Sequence, residues 1–416
     1  MAQSSQTKRF SDVMRFTLLI FPLIAAMFVN RVHASSTQVV YNLGGGDGSY
    51  FDTELVMDKS GNLYGTSVAG GDFSSGNVFQ LTPAGKGWNL TVLYSFTSGR
   101  DGAQPYKGVT LDSHGDLYGT TVTGGSGGCD GGCGVVYKLT HAHRRWSQSV
   151  LHSFTGGSDG AGPGSPVVFD KQGNLFGTTP TKGAKGFGTI YELKPNKNGS
   201  WKLAVIHTFT GGSDGAGGSA GRLLLDAKGN IYGVATGGGA YGSGTAYQLS
   251  SVQGQWKLKT LYAFKGQPDA GFPYGGLTLD SAGNLYGTNY YDGKNDIGGV
   301  FELSPVGGKW KETVLHSFTG GSDGSESLST LVSDAAGNLY GTTIDGGDLA
   351  CNCGTIFKLA AGAKGLRKYS VVYRFKGAPD GAHLYAGMVP DSTGRFYGIT
   401  LQGGSANIGA IFKFIP

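Results

Sequence analysis

Seven aspartates recur at one aligned place along the chain: Asp47, Asp101, Asp159, Asp214, Asp269, Asp323 and Asp380, each in a corner of the type TGGSDGA. A ring of carboxylates supplied by successive repeats, near the mouth of a central channel, would bind a cation such as calcium or a polar ligand. The same residues have a plainer use, because Asp-Gly is turn chemistry that repeats whenever a fold repeats. No Asp-x-Asp-x-Asp calcium loop accompanies them, so the turn reading is preferred, and no resident metal or cofactor is expected. A second group breaks the repetition. The segment NYYDGKNDIGG (289–299) sets Tyr290 and Tyr291 beside Asp292, Lys294, Asn295 and Asp296 in what reads as a loop. Aromatic faces beside carboxylates and amides suit sugar rings, which stack on apolar surfaces and hydrogen-bond at their edges. The alternative is ordinary variation in a surface loop.

Four cysteines fall in two close pairs, Cys129 with Cys133 and Cys351 with Cys353, at equivalent places in two repeats. They predict two local disulfides, since a zinc site built from all four thiolates would need both pairs together. Catalytic motifs are absent: there is no Gly-x-Ser-x-Gly elbow, phosphate loop or dinucleotide fingerprint. His152, His207 and His316 occupy a slot that holds Tyr41, Tyr94, Tyr262 and Tyr373 in other copies, so they read as outer-strand packing residues. The two histidines of HAHRR (141–145) lack a third ligand and read as a hairpin tip. A polysaccharide or lactone lyase or hydrolase built on Asp or His residues at the channel mouth would bring His383, Asp380 and Asp292 together in one pocket, and their lying on separate, solvated loops would count against it.

The elements that carry these residues are marked by Asp-x-x-Gly-Asn-Leu-Tyr-Gly, complete at 280–287. Near-copies begin at Asp58, Asp112, Asp170, Asp226, Asp334 and Asp391, with successive starts 54, 58, 56, 54, 54 and 57 residues apart. Within one repeat, LTLD (277–280), LYGTN (285–289), GVFELS (299–304) and a Trp-led segment ending in ETVLHSF read as four short strands bounded by Gly, Pro, Asn and Asp. No stretch after the first 34 residues sustains a helical apolar period. The expected fold is all-β: a seven-bladed β-propeller of four-stranded antiparallel blades, with a β-solenoid as the alternative. QVVYNL (38–43) matches an outermost strand and AIFKFIP (410–416) a third strand, so the N-terminal strand is expected to complete the last blade and close the ring. The Tyr and Phe of the second and third strands belong between blades. Trp88, Trp146, Trp201, Trp256 and Trp310 each lie eight residues before the Phe that ends an outer strand, a regularity that indicates packing.

Residues 1–34 stand outside the repeat. Lys8, Arg9 and Arg15 precede an apolar run from Phe16 to Val29, and Val32-His33-Ala34 has the form of a small-residue cleavage site. That is the layout of a secretory signal peptide, and the run of 14 residues is short for a membrane span. The domains are thus a signal peptide over 1–34 and one seven-repeat domain over 35–416, with an uncleaved anchor as the alternative that Arg31 keeps open. Without the leader, 33 − 4 = 29 basic residues face 28 − 1 = 27 acidic ones, a net charge of +2. With no basic block in the chain, nucleic acid is not expected as a partner. A secreted or periplasmic monomer without membrane insertion is expected.

The units G-N-L-Y-G-T-T, G-x-V-F-x-L and V-L-H-S-F-T-G-G-S-D-G-A resemble the Gloeo/Verruco tandem repeat of secreted bacterial "choice-of-anchor" proteins, across essentially all of residues 38–416. The resemblance implies an exported bacterial repeat propeller and brings no established activity and no catalytic residues. The chain stops at Pro416 with no sorting motif or hydrophobic tail, which makes free secretion the expectation. The function expected is an extracellular binding module for a glycan or protein, acting through the loop-rich face. A propeller-fold polysaccharide or lactone lyase or hydrolase, and a structural envelope or matrix protein, are the alternatives.

Overall fold

The computed structural model describes residues 35–218, 221–362 and 366–416; the expected leader lies outside them. Each Asp-x-x-Gly-Asn segment is a tight hairpin whose aspartate satisfies the turn. Asp58 Oδ1 accepts the amides of Ser60 and Asn62 at 2.8 and 2.9 Å, while Oδ2 accepts the Asn62 side chain at 2.7 Å and the Tyr64 hydroxyl at 3.0 Å. The same set recurs at Asp226, Asp280 and Asp334. This hairpin joins a short inner strand, Val56–Met57, to a second strand, Leu63–Ser67, followed by a third, Asn77–Ala84, and an outer one, Gly87–Ser95.

Among the described residues the strands form seven such antiparallel sheets, the blades of a seven-bladed β-propeller. The last blade joins Val389–Pro390, Phe396–Ile399 and Ala410–Ile415 to Ser36–Asn42, with Ser36 opposite Ile415 and Asn42 opposite Ala410. The chain's first strand therefore closes the ring by supplying the outer strand of the last blade. Tyr397, Ile399 and Ile411 of the last blade pack with Leu55, Leu63 and Phe79 of the first, a contact that a solenoid does not make.

Second strands are buried along their whole length, because a neighbouring blade covers each face. Their tyrosine reaches the following blade and the third-strand aromatic reaches back, as Tyr64 and Tyr137 do in one cluster. The Gly of Leu-Tyr-Gly is obligatory: a Cβ on Gly287 would lie 2.5 Å from the Phe301 ring. Trp88 packs edge-on against Tyr397 of the preceding blade, ring centroids 5.8 Å apart, and Trp201 against Tyr118 at 6.2 Å. The cysteines form the two local disulfides, Cys129–Cys133 and Cys351–Cys353.

Blade five departs from its neighbours. Ala270–Pro273 pairs with the far end of Leu285–Asp292, so residues 289–292, expected in a loop, continue the second strand.

Candidate functional site

The connections from outer to inner strands pair with the second-to-third loops, as Ser49 does with Ala69 and Ser325 with Asp345, which puts both sets on one face. Every connection contains one left-handed residue at the same place: Tyr50, Gln104, Gly162, Gly217, Phe272, Glu326 and His383, with φ of 48–68°. Backbone hydrogen bonds pin this residue between two blades. The Glu326 amide donates to the Ile297 carbonyl at 3.0 Å, and the Glu326 carbonyl accepts the Ile344 amide at 3.0 Å; His383 does the same with Cys353 and Leu401. Glycine adopts this conformation freely, whereas a bulky residue is strained by about 1 kcal/mol or more. Blades three and four use glycine. The other five connections place a larger side chain here.

On the ring axis the channel is closed by charged and hydroxyl side chains. Arg222 Nε meets Glu54 at 3.2 Å, its Nη1 donates to Thr110 at 3.0 Å, and the Thr330 hydroxyl donates to Glu54 at 2.8 Å. Lys107 grips both oxygens of Asp52 at 2.7 Å. Glu54, Lys107, Tyr274, Leu328 and Tyr385 line the space that remains, about 10 Å³ and enough for one water.

Around this closed mouth stands an aromatic shelf. Tyr290 lies 4.4 Å from Tyr291 and 5.7 Å from Tyr274, and Tyr291 lies 6.1 Å from Phe272, all measured between ring centroids. Glu326 faces the Tyr290 hydroxyl, whose pKa is raised by burial first and then by that carboxylate. Tyr290 and Tyr291 are thus at the surface where sugar stacking is expected, with Tyr291 46% exposed. Asp292 is not: it is left-handed, 9% exposed, and its Oδ2 has no hydrogen-bond partner. Burial pushes its carboxyl up, aided by Asp296 and opposed by the Gln267 amide and Ser243 hydroxyl. Asn295 is drawn to the outer strand, its side chain donating to the Phe318 carbonyl at 2.6 Å, and Asp296 is exposed. Sequence reasoning missed Phe272, Tyr274, Glu326 and Tyr385. Their signal was positional, since each aligns with a face residue of another blade, Phe272 and Glu326 with Tyr50, and Tyr274 and Tyr385 with Tyr106.

The seven aligned aspartates lie elsewhere than the channel mouth. Tyr94 donates to Asp101 at 3.0 Å; His152, His207 and His316 meet Asp159, Asp214 and Asp323 at 3.1, 3.0 and 2.9 Å; Tyr373 donates to Asp380 at 3.0 Å. Asp47 accepts the Gly44 amide at 2.8 Å. These carboxylates brace the corner against the outer strand, because the outer-strand Tyr or His offers a donor there. Asp269 is the exception. Tyr262 turns instead to Glu312 of the next blade at 2.9 Å, and Glu312 also accepts the Ala270 amide at 3.2 Å. Burial, opposed by the Tyr262 hydrogen bond and reinforced by Asp269, pushes the Glu312 carboxyl up to about 7.

His383, Asp380 and Asp292 do not converge: His383 pairs with Asp345, Asp380 with Tyr373, and Asp292 lies under the 266–271 loop, so the trio on which the lyase or hydrolase alternative rests is not assembled. His141 stacks on Trp146 at 4.9 Å in a hairpin whose tip, His143 and Arg144, is left-handed. Among the described residues no group of three or more His, Cys, Asp or Glu is placed to hold a metal, and no helix is long and apolar enough to cross a membrane.

The pattern that defines the Gloeobacter/Verrucomicrobia repeat matches residues 26–224 and again 218–416. No curated protein matches the chain. Among solved structures, a provisionally named 6-phosphogluconolactonase of Bacteroides uniformis is 16% identical with a TM-score of 0.51, over 76% of this chain and 83% of that one. A provisionally named oxidoreductase (glucose dehydrogenase) of Thermus thermophilus is 13% identical with a TM-score of 0.44, over 92% and 100%. A protein of unknown function from Dyadobacter fermentans is 12% identical with a TM-score of 0.44, over 81% and 97%. At such identities the Bacteroides likeness concerns the fold alone.

Proposed function

The chain belongs to the Gloeobacter/Verrucomicrobia repeat family, and from that premise we propose that it is an exported propeller that binds a glycan on its loop-rich face. The observation that carries this reading is the shelf of Phe272, Tyr274, Tyr290 and Tyr291 at the mouth of the closed channel, with the Glu326 carboxylate at its edge. Rigid aromatic faces with an acceptor beside them match the apolar face and hydroxyl edge of a sugar ring. The mouth leans acidic, because Lys107 is paired with Asp52 and Arg222 with Glu54, leaving Glu326 and Asp345 without a lysine or arginine partner among the described residues. A neutral glycan is therefore the ligand class. Export is supported by the leader-like residues 1–34 and by the two disulfides, which persist in oxidising compartments. The test is a glycan array probed with the purified protein. Selective retention of neutral glycans, weakened about 10-fold by Tyr290→Ala or Tyr274→Ala, is expected from the loss of one stacked ring. An array with no retained glycan, or retention indifferent to both variants, refutes it and leaves a protein ligand as the reading.

A further inference from the structure

One group at the same mouth has a chemistry that sugar binding does not use. His383 Nδ1 lies 2.9 Å from Asp345 Oδ1, a residue of the preceding blade. A carboxylate only accepts, so Nδ1 donates to Asp345, and in the neutral ring the lone pair falls to Nε2. No partner for Nε2 occurs among the described residues, and the side chain is 24% exposed. Among the described residues the pairing belongs to this corner alone. In the other blades the His383 slot holds Tyr50, Gln104, Gly162, Gly217, Phe272 or Glu326, and none of these meets a carboxylate from the loop before it in the manner of Asp345. His383 is moreover held left-handed at φ 57°, a strain that the two backbone hydrogen bonds to Cys353 and Leu401 sustain. Two residues on, Tyr385 lines the axial space, and its hydroxyl has no acceptor among the described residues. Burial first, then Asp345, Asp52 and Glu326, hold that hydroxyl in its protonated, donating form.

We propose that His383, oriented by Asp345, is a general base that activates water against an ester carried by a sugar-like ligand on the aromatic shelf. Nε2 takes a proton from the water as its oxygen bonds to the acyl carbon, and the resulting oxyanion accepts a hydrogen bond from the Tyr385 hydroxyl. Collapse breaks the acyl C–O bond, and the imidazolium returns its proton to the departing alkoxide. Water is thereby added across the ester, giving a carboxylic acid and an alcohol, with the imidazole neutral again. The acidic lean of the mouth selects O-acylated neutral sugars over uronates.

Where the sugar binds, this rests on the glycan reading; for the base it does not, and two probes separate them. The purified protein is assayed with 4-nitrophenyl acetate, which needs only the base, and with acetylated xylan, which also needs the shelf. Hydrolysis of both above the rate in buffer is expected. His383→Gly is the variant of choice, because glycine suits the left-handed position and folding is not put at risk. It should lower the rate about 100-fold or more, and added imidazole should restore activity beyond that of imidazole alone. Asp345→Asn, which affects positioning, should lower kcat with KM unchanged. Cleavage of 4-nitrophenyl acetate but not of acetylated xylan supports the base and removes the sugar ester. Glycan binding without hydrolysis of either probe, or hydrolysis unchanged in His383→Gly, overturns the proposal and leaves the binding reading standing.

Discussion

Glu312 gives the protein a pH dependence that can be worked out before it is measured. A free Glu carboxyl titrates near 4.5, and this one is pushed up to about 7, chiefly by burial. The folded state therefore holds the proton more tightly than the unfolded state, so this contribution to stability is complete below 4.5 and is lost as pH rises through 7. At about 1.4 kcal/mol for each tenfold, the interval amounts to about 3 kcal/mol. The equivalent slot in three other blades holds Leu90, Leu203 and Leu258. Glu312→Leu thus restores an arrangement the fold already uses, and it frees Tyr262 to hydrogen-bond Asp269 as Tyr94 does Asp101. With an unfolding entropy of about 2 cal/mol/K per residue, 3 kcal/mol corresponds to a Tm difference of about 4 °C for a domain of this size. Thermal unfolding of the wild type, Glu312→Leu and Glu312→Gln should be followed at pH 5 and pH 8. The variants should gain on the wild type by about 4 °C more at the higher pH. An advantage equal at both pH values would refute the assignment of the buried proton to Glu312.

Other expectations concern the ring itself. Gly287→Ala forces a methyl group into the Phe301 ring and should cost about 1–3 kcal/mol in chemical denaturation; an unchanged midpoint would contradict the close approach. Deleting Ser36–Asn42 bares the edge of Ala410–Ile415, so size-exclusion chromatography should show association in place of a monomer peak, and a stable monomer would argue against strand closure. Replacing Cys129 and Cys133 by serine opens a five-residue loop and should cost about 2 kcal/mol, read as a lower denaturation midpoint than the wild type under oxidising conditions, and an unchanged midpoint would contradict it.

The blades, their order and the closing strand were legible because they follow from local signals repeated many times: turn chemistry in Asp-x-x-Gly-Asn, alternation in the strands, and an orphan outer strand at residues 38–43 matched to an orphan third strand at 410–416. The use of the corner aspartates was half legible. Their recurrence marked them as turn residues, and the Tyr or His that binds each one lies seven residues earlier in most copies, a pairing that spacing alone could have shown. The burial of Asp292 was not legible, because it depends on Ala270–Pro273 joining as an extra strand and covering the 289–292 segment. His383 and Asp345 stand 38 residues apart in different blades, and only the ring geometry brings them together.

Sevenfold repetition also separates the residues that build the ring from those free to serve a ligand. The corner aspartates, turn aspartates and interblade aromatics are each needed in nearly every blade, so they support the ring and say little about a ligand. The left-handed position on the face is different, since any residue the strain allows can stand there without disturbing the sheets. Blades three and four fill it with Gly162 and Gly217, blades one and two with Tyr50 and Gln104, and blades five to seven with Phe272, Glu326 and His383, beside which stand Tyr274, Tyr290 and Tyr385. Bulky residues held at φ near 55° where glycine would be unstrained lower stability and make no contribution to the sheets. Their presence in five of the seven blades, with an aromatic cluster and an oriented imidazole among those of blades five to seven, is what a ligand site on this face would use and what a purely structural ring does not require.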